Sequence, residues 1–318
     1  MVSLVSTDNS SIQVVPIGNK GNFKRRCVLS LGIGRSHYKL TLERLGQSLQ
    51  RVGFDGDYLY WNHDYPSGCP EHLQAPFAFK PYCFYRAIQL GYQQLLWIDA
   101  PCVAIRSLEP VFRLLESNGY IFFNNNYSQK LGQWASDQSL AANGVSREEA
   151  LMIPELPCSV LGLDLRSTLA QKFLAEWHRI MNDGITARGT ATALQDWDAY
   201  QAMFWNRNGC ISSDPRVKGH RCDQVAAGLT AHRLGMTPYA DLLRDIHYPQ
   251  RPIKTSTAIL HYREYGDTIT QLNTIYRQVF FTTPFVERPK RLLHPLKRLL
   301  GTTLRTASKT LRPGPTWP

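Results

Sequence analysis

The chain predicts an α/β fold, a mostly parallel sheet flanked by helices, and two stretches carry the prediction. The first is a strand, helix, strand unit near the N-terminus. Cys27-Val28-Leu29-Ser30-Leu31-Gly32-Ile33 reads as a strand. Tyr38, Leu42, Leu45, Leu49 and Val52 then fall at helical spacing on one stripe, closed by Gly53, and Asp57 to Trp61 reads as a second strand. The second stretch is Leu95 to Ile98, a short apolar run that reads as a strand buried on both faces, with Asp99 at its C-terminal end. In parallel sheets ligands sit beyond the carboxyl ends of the strands, so Asp99 is placed to hold a cation or a ribose hydroxyl, or simply to cap the turn before Pro101.

The rest of the body continues the alternation. Residues 1–24 are polar and turn-rich, an expected irregular lead-in, and residues 62–78 are rich in Pro, Gly, Asp and His and read as a loop. Lys80-Pro81 opens a helix running to about Leu90, since proline suits a first helical turn. Lys80 therefore stands at a helix N-terminus, where it either meets a phosphate or is a solvated lysine. Val103 to Leu108 reads as an extended continuation, Pro110 to Ser117 as a short helix and Tyr120 to Phe123 as a strand. Ser146-Arg147-Glu148-Glu149 has the form of a capping box. Cys158 to Leu163 reads as a strand backed by a helix face of Leu169, Phe173, Trp177 and Ile180. Trp197, Tyr200, Gln201 and Phe204 mark another helix, their aromatic residues being core positions rather than a ligand box.

A dense polar cluster, Ser213 to Gln224, precedes a helix from Val225 to Leu234. It contains Lys218, His220 and Arg221, which can neutralise a diphosphate, followed by Asp223 and Gln224 at the helix start. Asp223 works on a sugar or an acceptor, or serves as an N-cap. Thr257 to Leu260 reads as a late strand with His261 at its end, either a metal ligand or a structural histidine.

Composition narrows the function classes. The 318 residues, 43% hydrophobic, suffice for one elaborated domain. The N-terminus lacks the pattern of a secretory signal, and no apolar run approaches a membrane span. Seven scattered cysteines without CxxC spacing read as reduced thiols, which points to the cytoplasm. The net charge of +11 is concentrated beyond Val286, where eight Lys or Arg stand against Glu287 alone; that is +7, leaving +4 for the body. A nucleic-acid surface spread over the fold is not expected. Leu292, Leu296, Leu299, Leu300 and Leu304 fall on one stripe among the basic residues, so the tail 286–318 reads as a segment lying on the inner face of an anionic membrane, as a solvated tail, or as a helix docked on the body. Gly32-Ile33-Gly34 is too little for a dinucleotide fingerprint, and a Rossmann cofactor site is set aside.

Taken in order, Lys-Pro opening a helix, a strand ending Trp-Ile-Asp, an Asp-Gln helix start and a late strand ending in His resemble a GT-A fold nucleotide-sugar glycosyltransferase and are similar to glycosyltransferase family eight. The resemblance covers residues 25–268 and implies a GT-A-like, Rossmann-type mixed sheet over residues 25–285. It makes Asp99 the first Asp of the DxD motif, Asp223 and Gln224 a pair lining the sugar pocket, and His261 the late histidine that helps bind Mn or Mg. It implies a nucleoside-diphosphate sugar donor and a glycan, lipid-linked or protein acceptor in polysaccharide biosynthesis. Where the second Asp of DxD belongs, this chain has Pro101, which has no side-chain donor, and Cys102 next to it is a soft ligand poorly suited to Mg. The ion is then held by Asp99 and His261 with diphosphate and water; alternatively, Arg35, Lys80, Lys218, His220 and Arg221 replace it, or catalysis is lost and the domain binds a glycan or partner protein. Departure of the diphosphate requires stabilisation of negative charge, and inversion requires a carboxylate base, for which Asp223 is the candidate.

Overall fold

The structure is a computed structural model in which residues 12–18, 26–34, 36–123, 128–238, 246–247, 257–262 and 268–281 are described. By compactness the chain divides into Met1–Tyr276 and Arg277–Pro318. Of the second unit only the end of the last helix is described, so the basic tail lies outside the described residues, as does Arg35 of the first unit.

The strands are β1 (Ile12–Pro16), β2 (Arg26–Leu31), β3 (Asp57–Trp61), β4 (Gln94–Ile98), β5 (Cys102–Ala104), β6 (Tyr120–Ile121), β7 (Val160–Asp164), β8 (Ile246–His247) and β9 (Ile259–His261). The helices are α1 (Ser36–Arg51), α2 (Phe79–Gln89), α3 (Glu109–Asn118), α4 (Asp137–Ala142), α5 (Arg147–Ala150), α6 (Thr168–Met181), α7 (Trp197–Phe204), α8 (Cys222–Arg233) and α9 (Thr268–Phe281). The main sheet has the order β1-β3-β2-β4-β7-β6. Its three central neighbours β3, β2 and β4 are parallel, while β1, β7 and β6 each pair antiparallel with a neighbour. The fold is therefore the expected mixed α/β sheet flanked by helices.

Period-two alternation sorts the side chains of the central strands into two cores. Cys27, Leu29, Leu95 and Trp97 face one core, with Phe84 of α2, Phe173 and Trp177 of α6 and Val225 of α8. Val28, Leu96 and Ile98 face the other, with Leu42, Leu45 and Leu49 of α1 and Val111, Phe112 and Leu115 of α3. Helix α1 thus connects β2 to β3 over one face, and α2 returns over the opposite face to β4, on the far side of β2. This reversal is a topological switch point, and the crevice it opens lies at the carboxyl ends of β2 and β4. Asp99 follows β4 directly.

Three departures have local causes. The expected irregular lead-in contains β1, which pairs antiparallel with β3; Val14-Val15 favours a strand, and Pro16 is tolerated at its end on a sheet edge. The extended run after Asp99 does not continue the main sheet. The Ala100-Pro101 turn, closed by Cys102 N–H donating to the Asp99 carbonyl at 2.9 Å, redirects it into a second sheet of order β5-β9-β8. Finally, α8 begins at Cys222, three residues before its apolar periodicity, so Asp223 and Gln224 are in its first turn rather than in a preceding loop. No helix among the described residues is long and apolar enough to cross a membrane.

Candidate functional site

Lys80, Asp99 and Asp223, 143 residues apart at the extremes, meet at the switch point. The first turn of α2 carries Lys80 inward, and its ammonium donates to Asp223 Oδ2 at 2.6 Å and to the Cys158 carbonyl at 2.7 Å, with Asp99 Oδ1 at 3.2 Å. Phe77 precedes α2 with φ of 63°, a strained value for a bulky residue, and its ring centroid lies 5.6 Å from the ammonium; that of Trp97 lies at 5.4 Å. Trp97 Nε1 also donates to Asp99 Oδ1 at 2.7 Å. Asp99 is pinned through its backbone as well, its N–H donating to the Ser159 carbonyl at 2.8 Å.

The electrostatics follow from burial. The Lys80 side chain is 3% exposed and that of Asp223 7%, whereas that of Asp99 is 30% exposed. Burial by itself would lower the lysine pKa, but Asp223 and then Asp99 outweigh it and raise it well above the usual range, so the ammonium stays charged. Burial pushes the Asp223 carboxyl up, with Lys80 opposing and Asp99 adding. With both carboxylates ionised the cluster is net negative by one, and Asp99 presents that charge to solvent. Such an arrangement accepts hydrogen bonds from sugar hydroxyls or attracts a cation. It does not attract phosphate. The phosphate role read for Lys80 is therefore corrected: two of its N–H groups are committed and its head is sealed from any ligand by Asp99, Asp223 and two aromatic rings. The N-cap alternative for Asp223 also fails, because the N-cap is Arg221 and no side chain caps the helix.

The basic residues separate. His220 is fully buried; its Nδ1 accepts from Ser136 N–H at 3.2 Å and its Nε2–H donates to the Thr186 carbonyl at 2.8 Å. Burial lowers its pKa to about 4, so it is a neutral core imidazole and does not neutralise a diphosphate. Arg221 lies flat on Trp134, its guanidinium carbon 3.6 Å from the ring centroid, and donates to Gln129 at 2.9 Å and to Glu155. It remains partly exposed. Lys218 is exposed, 6.0 Å from the same ring. Gln224 is half-buried, and its Oε1 is shielded from solvent without a hydrogen-bond partner among the described residues. His261 is buried in β9 opposite Cys102, one short strand away from the Asp99 turn.

Among the described residues no group of three or more His, Cys, Asp or Glu stands together to hold a metal, Asp99 Oδ1 already faces the Lys80 ammonium and the Trp97 N–H, and Pro101 supplies no side-chain ligand. Arg35 lies outside the described residues.

Two residues that the periodicity gave no reason to single out shape the site. Trp97, one of the apolar strand residues, orients Asp99 through its indole N–H. Arg44 is buried beneath the Asp99 turn, and the signal for it is a second stripe on α1, Thr41, Arg44 and Ser48 at i, i+3 and i+7, all buried.

No protein-family model and no curated protein matches the chain. Solved structures do resemble it. The WbbM bifunctional glycosyltransferase in its apo form matches 78% of this chain and 47% of its own at 10% identity and a TM-score of 0.44, so the chain spans about half the length of that protein. Mouse xyloside xylosyltransferase 1, also apo, matches 75% of this chain and 97% of its own at 9% identity and a TM-score of 0.42. The galactosyltransferase LgtC, in complex with donor and acceptor sugar analogs, matches 82% and 98% at 12% identity and a TM-score of 0.36.

Proposed function

We propose that the chain is a GT-A-like glycosyltransferase that moves a sugar from a nucleoside-diphosphate donor to a glycan, lipid-linked or protein acceptor. The observation that supports it best is the Lys80 ammonium clamped between Asp99 and Asp223 at the carboxyl ends of the parallel strands. Two carboxylates organised in this way are acceptors for sugar hydroxyls. Asp99 is the accessible one. In this reading the diphosphate lies away from the carboxylates, against exposed Lys218 and the partly exposed Arg221, whose guanidinium is shared with Glu155. Asp223 is the candidate base: burial raises its pKa, with Lys80 opposing and Asp99 adding. In this reading the tail beyond Val286 brings the enzyme to an anionic membrane where a lipid-linked acceptor resides.

The test is calorimetric and thermal-shift binding of UDP, GDP, CDP and dTDP, each with manganese and with chelator. The expected result is binding of one diphosphate to a similar extent in both conditions, weakened when Lys218 and Arg221 are replaced by Ala. Binding that manganese strengthens, with the gain abolished by both Asp99→Asn and His261→Ala, restores a metal-dependent site held by those two residues. The loss of the second DxD carboxylate at Pro101 favours a second reading, a non-catalytic domain that binds a glycan or a partner protein. Absence of binding to all four nucleotides selects it.

A further inference from the structure

We propose that Arg44 is a positioning residue that fixes the Asp99 turn, its guanidinium joining the Pro101 carbonyl to the strand end after His261. Arg44 is 1% exposed at the centre of α1. Its Nη2 donates both to the Pro101 carbonyl at 3.1 Å and to the Tyr262 carbonyl at 2.7 Å, and its Nη1 donates to Gln271 Oε1 of α9 at 2.5 Å. The guanidinium carbon lies 5.2 Å from the Tyr262 ring centroid. Tyr262 N–H donates to the same Pro101 carbonyl at 3.0 Å, so one oxygen is held from two sides.

The chemistry suits the residue types. Pro101 has no acidic side chain but offers a carbonyl, and the fixed φ of proline limits where that carbonyl points. A planar guanidinium can serve three acceptors in different directions, which a lysine ammonium on a flexible stem does with less orientation. Helix α1 is a firm base for it, because Leu42, Leu45 and Leu49 are buried against the sheet. The helix grips the chain a second time where Ser48 Oγ accepts from Ala104 N–H at 3.0 Å, and Tyr276 OH donates to the Ala104 carbonyl at 2.7 Å. Strand β5 is therefore held at both ends, and with it the turn that sets Asp99 Oδ1 3.2 Å from Lys80.

The functional consequence rests on the transferase reading, but the positional claim is measurable without a ligand. Site-resolved hydrogen exchange on the full chain compares the Cys102 and Tyr262 amides with those of Leu29 and Trp97 in the central sheet. Arg44→Lys is expected to speed exchange at Cys102 and Tyr262 by about tenfold or more and to leave Leu29 and Trp97 within about twofold. Gln271→Ala removes only the Nη1 partner and is expected to produce a smaller acceleration at the same two amides, which keeps the test decisive if Arg44→Lys does not fold. Equal acceleration at all four sites, or none at Cys102 and Tyr262 in either variant, overturns the proposal. So does slower wild-type exchange at those two amides on adding manganese chloride alone, since the cross-link would then be the metal's. If the wild type binds one of UDP, GDP, CDP or dTDP, Arg44→Lys is expected to weaken that binding about tenfold without changing its response to chelator. If it binds none, the transferase reading fails while the exchange result still decides the role of Arg44.

Discussion

Replacing Lys80 with Met keeps most of the side-chain stem and removes the ammonium that Asp223 and the Cys158 carbonyl both use. Asp223, 5% exposed, is left as a buried carboxylate without its cation. Removing one partner of a buried ion pair costs about 3–5 kcal/mol, and the orphaned carbonyl adds about 1 kcal/mol. A loss of about 4–6 kcal/mol is expected in urea denaturation at neutral pH with an unchanged slope. In the variant the folded-state pKa of Asp223 lies above its unfolded value, because burial already raises it and the opposing lysine is gone. The sign follows: the penalty is present above that folded pKa and shrinks as pH falls through it, so the gap between variant and wild type narrows in acid. Adding Asp223→Asn to Lys80→Met should recover about half of the loss, and the double-mutant cycle measures the coupling. A loss below about 1 kcal/mol, or a gap that does not change with pH, would refute the claim that this pair is a buried, mutually dependent charge cluster.

Other outcomes follow from the same packing. His72 and His220 are both held near a pKa of about 4 by burial. Between that value and the unfolded pKa of about 6.5 only the unfolded chain binds their protons, so stability falls as pH drops through this window, and His72→Phe should reduce the slope by close to one proton in denaturation titrations. Asp99→Asn, at a half-buried position that keeps an oxygen for Trp97 Nε1, should cost less than about 1 kcal/mol in stability while abolishing turnover of any nucleotide sugar whose diphosphate binds. A Cβ on Gly219 would collide with the Phe204 carbonyl, to which His220 N–H donates at 3.3 Å, so Gly219→Ala should lose at least about 1–3 kcal/mol in thermal denaturation.

The sequence by itself determined the central elements of the main sheet and the helices that flank them. The stripe Leu42, Leu45, Leu49 made α1, the apolar run before Asp99 made β4, and proline after Lys80 opened α2, because periodicity and local turn chemistry depend on near neighbours. It also singled out Lys80, Asp99 and Asp223, which stand together in the structure. What each does was decided only in three dimensions. Lys80 and His220 both read as cations for a phosphate, yet burial and committed hydrogen bonds make one an ionic clamp and the other a neutral core residue. Arg44 and Trp97 lay on elements whose apolar pattern explained them sufficiently, and no spacing rule reveals that a guanidinium on α1 reaches a carbonyl 57 residues away. Charge and hydrogen-bond state depend on what surrounds a side chain, and those surroundings come from strands and helices far apart in the chain.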